Sequence, residues 1–96
     1  MTKPNFSKIP KGEWETRFES ELVRVECASV WIADVPSDKR GANYQLVASD
    51  YHGAFLTDVW RVTNLVAKKS NIYYGETSWM TARRVASDLD FGAWVL

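Results

Sequence analysis

The chain has a single cysteine, Cys27, and a single histidine, His52, residue types that commonly serve in nucleophilic catalysis and metal binding. A cysteine nucleophile needs a base within reach and a third group that orients the base, and Asp50 could orient His52 in this way. Cys27, however, follows Val23 and Val25 in an alternating apolar row, as a small buried hydrophobic residue would. One cysteine and one histidine are also fewer than the three or four ligands of a usual zinc site. The sequence therefore predicts no catalytic residue, no metal and no cofactor.

A pair of acidic residues near the C-terminus, Asp88 and Asp90, could in principle form an acid–base pair. Their position at the end of a predicted helix favours a helix-terminating role instead. The chain also lacks a glycine-rich loop of the kind that cradles phosphates. We therefore expect a binding protein rather than an enzyme.

Aromatic residues are the main functional signal, with five Trp, four Tyr and four Phe. Bases of single-stranded nucleic acid stack on exposed aromatic rings, which contributes about 1–3 kcal/mol per base, and neighbouring cations follow the phosphates. Several aromatic residues lie beside basic residues in the sequence. The resulting candidate nucleic-acid site consists of Lys39, Arg40, Tyr44, Trp60, Arg61, Lys68, Lys69 and Tyr73.

The alternative is that most rings form the core, because a small domain relies on large side chains for buried area. Twelve basic and twelve acidic residues give zero net charge, which argues against a strongly basic nucleic-acid binder but leaves room for a local basic path. Trp31 could also be exposed. The aromatic residues that we expect in the core are Trp14, Phe18, Trp79 and Trp94.

A second hypothesis is a protein-binding inhibitor or accessory factor of a phage or mobile element, such as an anti-defence or anti-CRISPR-like protein. Met80, Arg83 and Arg84 fall on the outward side of a predicted helix, and Met and Arg are enriched in the centres of interfaces. The simpler interpretation is that the two arginines only solvate the helix. The expected partner is thus either single-stranded nucleic acid or a host protein.

Pro4 and Pro10 disfavour a helix and predict an extended N-terminal arm, residues 1–12. The length of 96 residues predicts a single small domain, residues 13–96. Apolar residues make up 46% and charged residues 25%, which is typical of a globular protein. No run approaches the ~20 apolar residues of a membrane span, and the N-terminus has no apolar signal core. A single cysteine excludes an internal disulfide. We therefore expect a cytoplasmic protein without a membrane partner.

Two apolar runs, Tyr44–Ala48 and Phe55–Val62, flank a cluster of turn-forming residues that ends at Gly53, and this pattern predicts a β-hairpin. Earlier, residues 13–18 and 23–28 alternate as strands that form either one bent strand or a hairpin.

A further apolar run at residues 29–33 precedes a loop at residues 34–43. Residues 55–69 fit either a helical stripe or a strand. The β-branched residues in this segment favour a strand at about residues 54–63.

The segment 78–89 has the apolar spacing and the composition of an α-helix, and Thr77 or Ser78 could cap it. Residues 91–96 then predict a short final strand. The residues expected to pack the helix onto the domain are Trp79, Ala82, Val85, Ala86 and Leu89.

The motif Ile9-Pro10-Lys11-Gly12-Glu13-Trp14, followed by Tyr51-His52-Gly53 and Trp60-Arg61, resembles phage-encoded OB-type single-stranded-DNA-binding proteins over about residues 6–66. The resemblance implies binding of single-stranded DNA on the sheet and its flanking loops. The predicted fold class is α+β, mainly antiparallel β, as an OB-like partial barrel or an open sheet with one helix at about 78–89. A homodimer could complete the sheet.

Overall fold

In the computed structural model of the protein, the described residues are 4–35 and 43–90. Predictions for Lys39, Arg40, Trp94 and a final strand at residues 91–96 lie outside these ranges. Two single-turn 3-10 helices, Phe6–Lys8 and Lys11–Glu13, precede five strands and one α-helix. The elements are β1 Glu15–Glu19, β2 Val23–Asp34, β3 Tyr44–Leu46, β4 Phe55–Asn64, β5 Lys69–Tyr74 and α1 Ser78–Leu89.

The five strands form one open antiparallel sheet in the order β1-β2-β4-β5, and β3 pairs with the end of β2. The predicted fold class is therefore confirmed in its open-sheet form. The predicted helix, residues 78–89, is also confirmed. Within the described ranges, no helix is long and apolar enough to cross a membrane.

Strands β1 and β2 form a hairpin, which decides between the two arrangements that the sequence left open. A β-bulge interrupts β1, because Thr16 pairs with Glu26 whereas Phe18 pairs with the next residue, Val25. Arg17 is the extra residue. Since a bulge shifts the alternation by one position, Thr16 and Phe18 lie on opposite faces of the sheet rather than on one face.

The predicted hairpin between residues 44–48 and 55–62 is wrong. Ile32 in β2 pairs with Leu46 in β3 and with Phe55 in β4, so β3 and β4 lie on opposite edges of β2. The turn residues are present, with Gly53 at a φ of 82°, but they carry the chain from one edge of β2 to the other. Ten paired positions between β2 and β4 outweigh the local hairpin.

Residues 55–64 form a strand, as we favoured over a helix. β2 pairs with the whole length of β4 on one edge, and β5 pairs with its second half, Val59 to Asn64, on the other, so that half lies at the centre of the sheet. The hairpin of this region joins β4 to β5. The side chain of Asn64 stabilises its turn by accepting hydrogen bonds from the backbone N–H groups of Val66 and Ala67 at 3.1 and 3.0 Å.

Helix α1 packs on one face of the sheet, which we call the helix face. Ala82 and Ala86 are fully buried against Val23, Val25 and other residues of β2 and β4. Small alanines allow the helix backbone to approach the sheet closely. Thr77 is the N-cap residue of α1, but its side chain forms no capping hydrogen bond, so the predicted cap is not made.

The expectation that Trp79 packs in the core is wrong, because 41% of its surface is exposed. At about 100° per residue, Trp79 lies at the border of the stripe that contains Ala82 and Ala86, on the side nearer Arg83. Val85 and Leu89, also expected in the contact, are partly buried against the core. The helix thus packs through its small residues and leaves its largest ring outside.

Residues 4–14, which we call the N-terminal segment, cover the opposite face of the sheet. We call this face the arm face. The segment is not an extended arm, because its two 3-10 helices fold it compactly against the strands. Phe6 and Ile9 are buried with Ala28 of β2 and Val59 of β4. The sheet therefore has two separate apolar layers, one under α1 and one under the N-terminal segment.

Replacing Ala82 by Asp should severely destabilise the protein, because an unpaired charge would be buried at a position with no exposed surface. The matched variant Trp79→Asp introduces the same charge on the same helix and should cost about 1 kcal/mol or less, because that position is at the surface. Urea unfolding followed by circular dichroism measures both. Equal loss of stability in the two variants would contradict this orientation of the helix.

Candidate functional site

Trp60, expected to be a platform for bases, lies in the core of the helix face with only 7% of its surface exposed. It is paired with Cys27 across the β2–β4 ladder. The guanidinium of Arg17 lies over its ring at 5.5 Å from the centroid. A base could not stack on this ring without displacing core residues, so Trp60 belongs to the core and not to a binding surface.

Arg61, expected to contact phosphates, is engaged within the sheet. Its guanidinium donates two hydrogen bonds to the carboxylate of Glu26, both at 3.0 Å. It also lies over the ring of Trp14 at 4.2 Å from the centroid. The bidentate pair neutralises its charge, and stacking on the ring fixes its plane, so Arg61 is a structural cation that joins β4 to β2 and to the N-terminal segment.

The other described members of the predicted nucleic-acid site are spread along the sheet. Tyr73 packs partly buried against the core below α1. Lys68 and Lys69 are exposed where the turn enters β5, beside Asn64 at the far end of β4. Tyr44 lies near Phe55 at the other end of the same strand. Ten residues of β4 at about 3.3 Å each place the lysines on the order of 30 Å from Tyr44.

Cys27 is buried in the core of the helix face, and burial, more than the carboxylate of Asp58, raises the pKa of its thiol above the ordinary value. A nearby arginine, Arg17, only partly offsets this effect. A raised pKa keeps the thiol protonated and unreactive. His52 is exposed in the turn before β4. Among the described residues, no group of three His, Cys, Asp or Glu could hold a metal ion.

The outward side of α1 does bring predicted residues together. Met80 has 49% of its surface exposed, and the neighbouring Trp79 is exposed as well. These residues surround a shallow cavity of about 240 Å³. We call the residues that line it the α1 surface: Trp79, Met80, Arg83, Arg84 and Ser87.

The α1 surface carries positive charge, and no carboxylate of residues 4–35 or 43–90 forms an ion pair with it. In the part of the chain that the structure describes, the ion pairs join Arg17 to Glu15, Arg24 to Glu19 and Arg61 to Glu26. All three lie on the sheet. Two guanidinium groups of α1 therefore remain available to carboxylates of another molecule.

Sequence reasoning missed Trp79 as a member of this surface. The apolar stripe of a helix is about 100° wide, and Trp79 lies at its border, where hydrophobicity alone assigns it to the core. The sequence did contain one indication, the small size of the residues on the inward side of the helix. Two alanines, Ala82 and Ala86, indicate a helix that lies close to the sheet. The space between these alanines and the sheet already holds the indole of Trp60, so a second indole from the helix remains outside.

No family model, curated protein or solved structure shows a significant match to this chain. The similarity to phage single-stranded-DNA-binding proteins therefore stays a prediction.

Replacing Trp60 by Ala should lower the free energy of unfolding by about 3–5 kcal/mol, because it removes a large side chain from the core. The control Trp31→Ala removes the same ring from an exposed position of β2 and should cost much less. Thermal or urea unfolding measures both. Unchanged stability of Trp60→Ala would contradict the assignment of Trp60 to the core.

Proposed function

We propose that the protein is a non-enzymatic binding module that docks its α1 surface onto a partner protein. The observation that carries this proposal is the cluster of two exposed, large apolar side chains, Trp79 and Met80, with two arginines around one shallow cavity. Trp and Arg are the residue types that dominate binding energy at interfaces, and Met is enriched there.

The rigid support of the helix favours this role. Ala82 and Ala86 fix the inward side of α1 against the sheet, and Leu89 packs partly buried beside them. A surface held in place by a core loses little conformational freedom when it binds, which favours affinity. An amphipathic helix that presents side chains at i and i+4 is also the usual form of helix-in-groove recognition.

The chemistry of the surface defines the partner. The partner should offer an apolar groove for Trp79 and Met80, and carboxylates at its rim for Arg83 and Arg84. An acidic rim pairs with guanidinium groups through two parallel hydrogen bonds, which gives orientation as well as attraction. In biological terms, we propose an inhibitor or accessory factor of a phage or mobile element that acts on a cytoplasmic host protein.

The double variant Met80→Ala with Arg84→Glu should abolish partner binding and leave stability nearly unchanged, because both residues are exposed. The matched control, Val66→Ala with Lys68→Glu, makes the same kind of apolar truncation and the same change of charge on an exposed turn. Each tagged protein is used to capture partners from a bacterial lysate, and bound proteins are quantified by mass spectrometry.

A captured protein supports the proposal only if it is lost with the double variant, retained with the control, and bound directly after purification. Its affinity should fall only modestly between low and high salt, because salt screens the ion pairs at the rim but not the apolar contact of Trp79 and Met80. Equal capture by the wild type and the double variant would move the interface away from α1. Capture of a second copy of the chain would instead indicate the homodimer that could complete the sheet.

Single-stranded nucleic acid is the second candidate partner. The observation that favours it is the exposed pair Lys68 and Lys69, which forms none of the ion pairs present in residues 4–35 and 43–90. The affinity for an oligonucleotide should then fall with salt, with a log–log slope of about −0.7 per phosphate contacted. The sequence of the oligonucleotide should matter little.

Replacing Lys68 and Lys69 by Glu should weaken binding of a fluorescent oligonucleotide to the same extent for all sequences, because phosphate contacts carry no sequence information. Fluorescence anisotropy at low salt measures this effect. Arg83→Glu with Arg84→Glu is the matched control with an equal change of charge. If the wild type gives no anisotropy change at low salt, nucleic-acid binding is excluded and protein binding remains.

A further inference from the structure

A small cavity of about 230 Å³ opens on the arm face, at the end of the sheet where β3 and β4 begin. Its walls are aromatic rings, and its floor is formed by the buried side chains of Ile32 and Thr57. Pockets that bury drug-sized ligands have volumes of about 300–1,000 Å³, so this cavity fits one small chemical group. The residues that line it are Ile32, Tyr44, Phe55, Thr57, Tyr74 and Gly75.

Three of the walls are rings held in defined positions. Tyr44 and Phe55 meet nearly at a right angle, with ring centroids 6.3 Å apart and an interplanar angle of 82°. Tyr74 packs against the buried ring of Phe6, at a centroid distance of 5.1 Å. Gly75, at a φ of 105°, leaves the rim without a side chain.

The electrostatic character of the cavity favours a cation. The faces of aromatic rings carry negative potential, and no basic residue is among the six that line the cavity. Asp34 pairs with Tyr44 and lies two positions after Ile32 in β2, so its side chain points to the same face of the sheet. Its carboxylate accepts a hydrogen bond from the backbone N–H of Asn43 at 2.8 Å and adds negative charge near the opening.

We propose that this cavity is an aromatic cage for a trimethylammonium group. A compact, rounded cation can contact the faces of two perpendicular rings and a third wall at once, which a flat nucleobase cannot do. The methyl groups fit the apolar lining, and they remove the N–H donors that a primary ammonium would need to satisfy. Phosphate and carboxylate groups are unsuited, because the lining offers them no cation.

The cavity is separate from the α1 surface, because α1 packs on the helix face and the cavity opens on the arm face.

The first test compares choline with 3,3-dimethyl-1-butanol, its uncharged counterpart of nearly the same shape. A two-dimensional NMR titration follows the backbone amides of Phe55 and Gly75. We expect both amides to shift with choline, and choline to bind about tenfold more tightly than the alcohol.

Equal affinities for choline and the alcohol would show only an apolar pocket and would overturn the proposal. The absence of shifts at Phe55 and Gly75 at the highest soluble concentration of choline would also overturn it.

Variants of Phe55 test the role of the ring itself. Phe55 is 48% exposed, so Phe55→Leu should keep the fold, and the melting temperature verifies this. Leucine fills a similar volume without a π-face, so choline should bind about tenfold more weakly while the affinity for the alcohol stays nearly constant. Phe55→Trp should retain choline binding. Trp31→Leu, the same type of change on the opposite face, is the matched control and should alter neither affinity.

Two further binding measurements identify the source of the trimethylammonium group. One is free choline, and the other is a short peptide that contains Nε-trimethyl-lysine, compared with the same peptide carrying unmodified lysine. Tighter binding of the methylated peptide than of choline would assign the group to a modified protein. Equal binding would assign it to a free small molecule. Equal affinity for the methylated and unmethylated peptides would contradict a cage selective for methylated nitrogen.

Discussion

The structure depends on one constraint: strand β2 is apolar on both of its faces. Val23, Val25 and Cys27 point to one face, whereas Ala28 and Ile32 point to the other, and all five are buried. A strand of this kind cannot remain at the surface of a two-layer domain, so each face must be covered by a separate element. The chain supplies a helix from its C-terminal half for one face and a folded N-terminal segment for the other. The three-layer arrangement and the burial of Trp60 under α1 both follow from this requirement.

Most of the elements could be predicted from the sequence, because they rest on local patterns. The helix at 78–89 has a clear period and good helix formers, and β4 is rich in β-branched residues. Pairing was harder to predict. The turn at Gly53 has the composition of a hairpin, but the partner of each flanking strand is decided by β2, which is distant in the sequence. Long-range pairing of this kind leaves no local signal.

The assignment of individual aromatic residues could not be predicted for the same reason. The sequence predicts Trp60 at the surface and Trp79 in the core. In the structure Trp60 is buried and Trp79 is exposed. Both lie next to arginine or methionine in the sequence, so composition does not distinguish them. The deciding factor is which side chain fills the space beside the alanines of α1. Trp60 of the sheet occupies that space, and the ring of Trp79 stays exposed at the surface of the helix.

The bulge at Arg17 has a consequence for how the protein can change. Thr16 lies opposite Glu26 and belongs to the arm face, whereas Phe18 lies opposite Val25 and belongs to the helix face. The β1–β2 hairpin therefore presents side chains on both faces of the sheet. Loss of Arg17 would make Thr16 and Phe18 consecutive residues opposite Glu26 and Val25, and regular pairing would then keep each of them on its present face. At this position β1 can therefore lose one residue without turning its other side chains over, and what it would lose is the guanidinium that lies over the ring of Trp60.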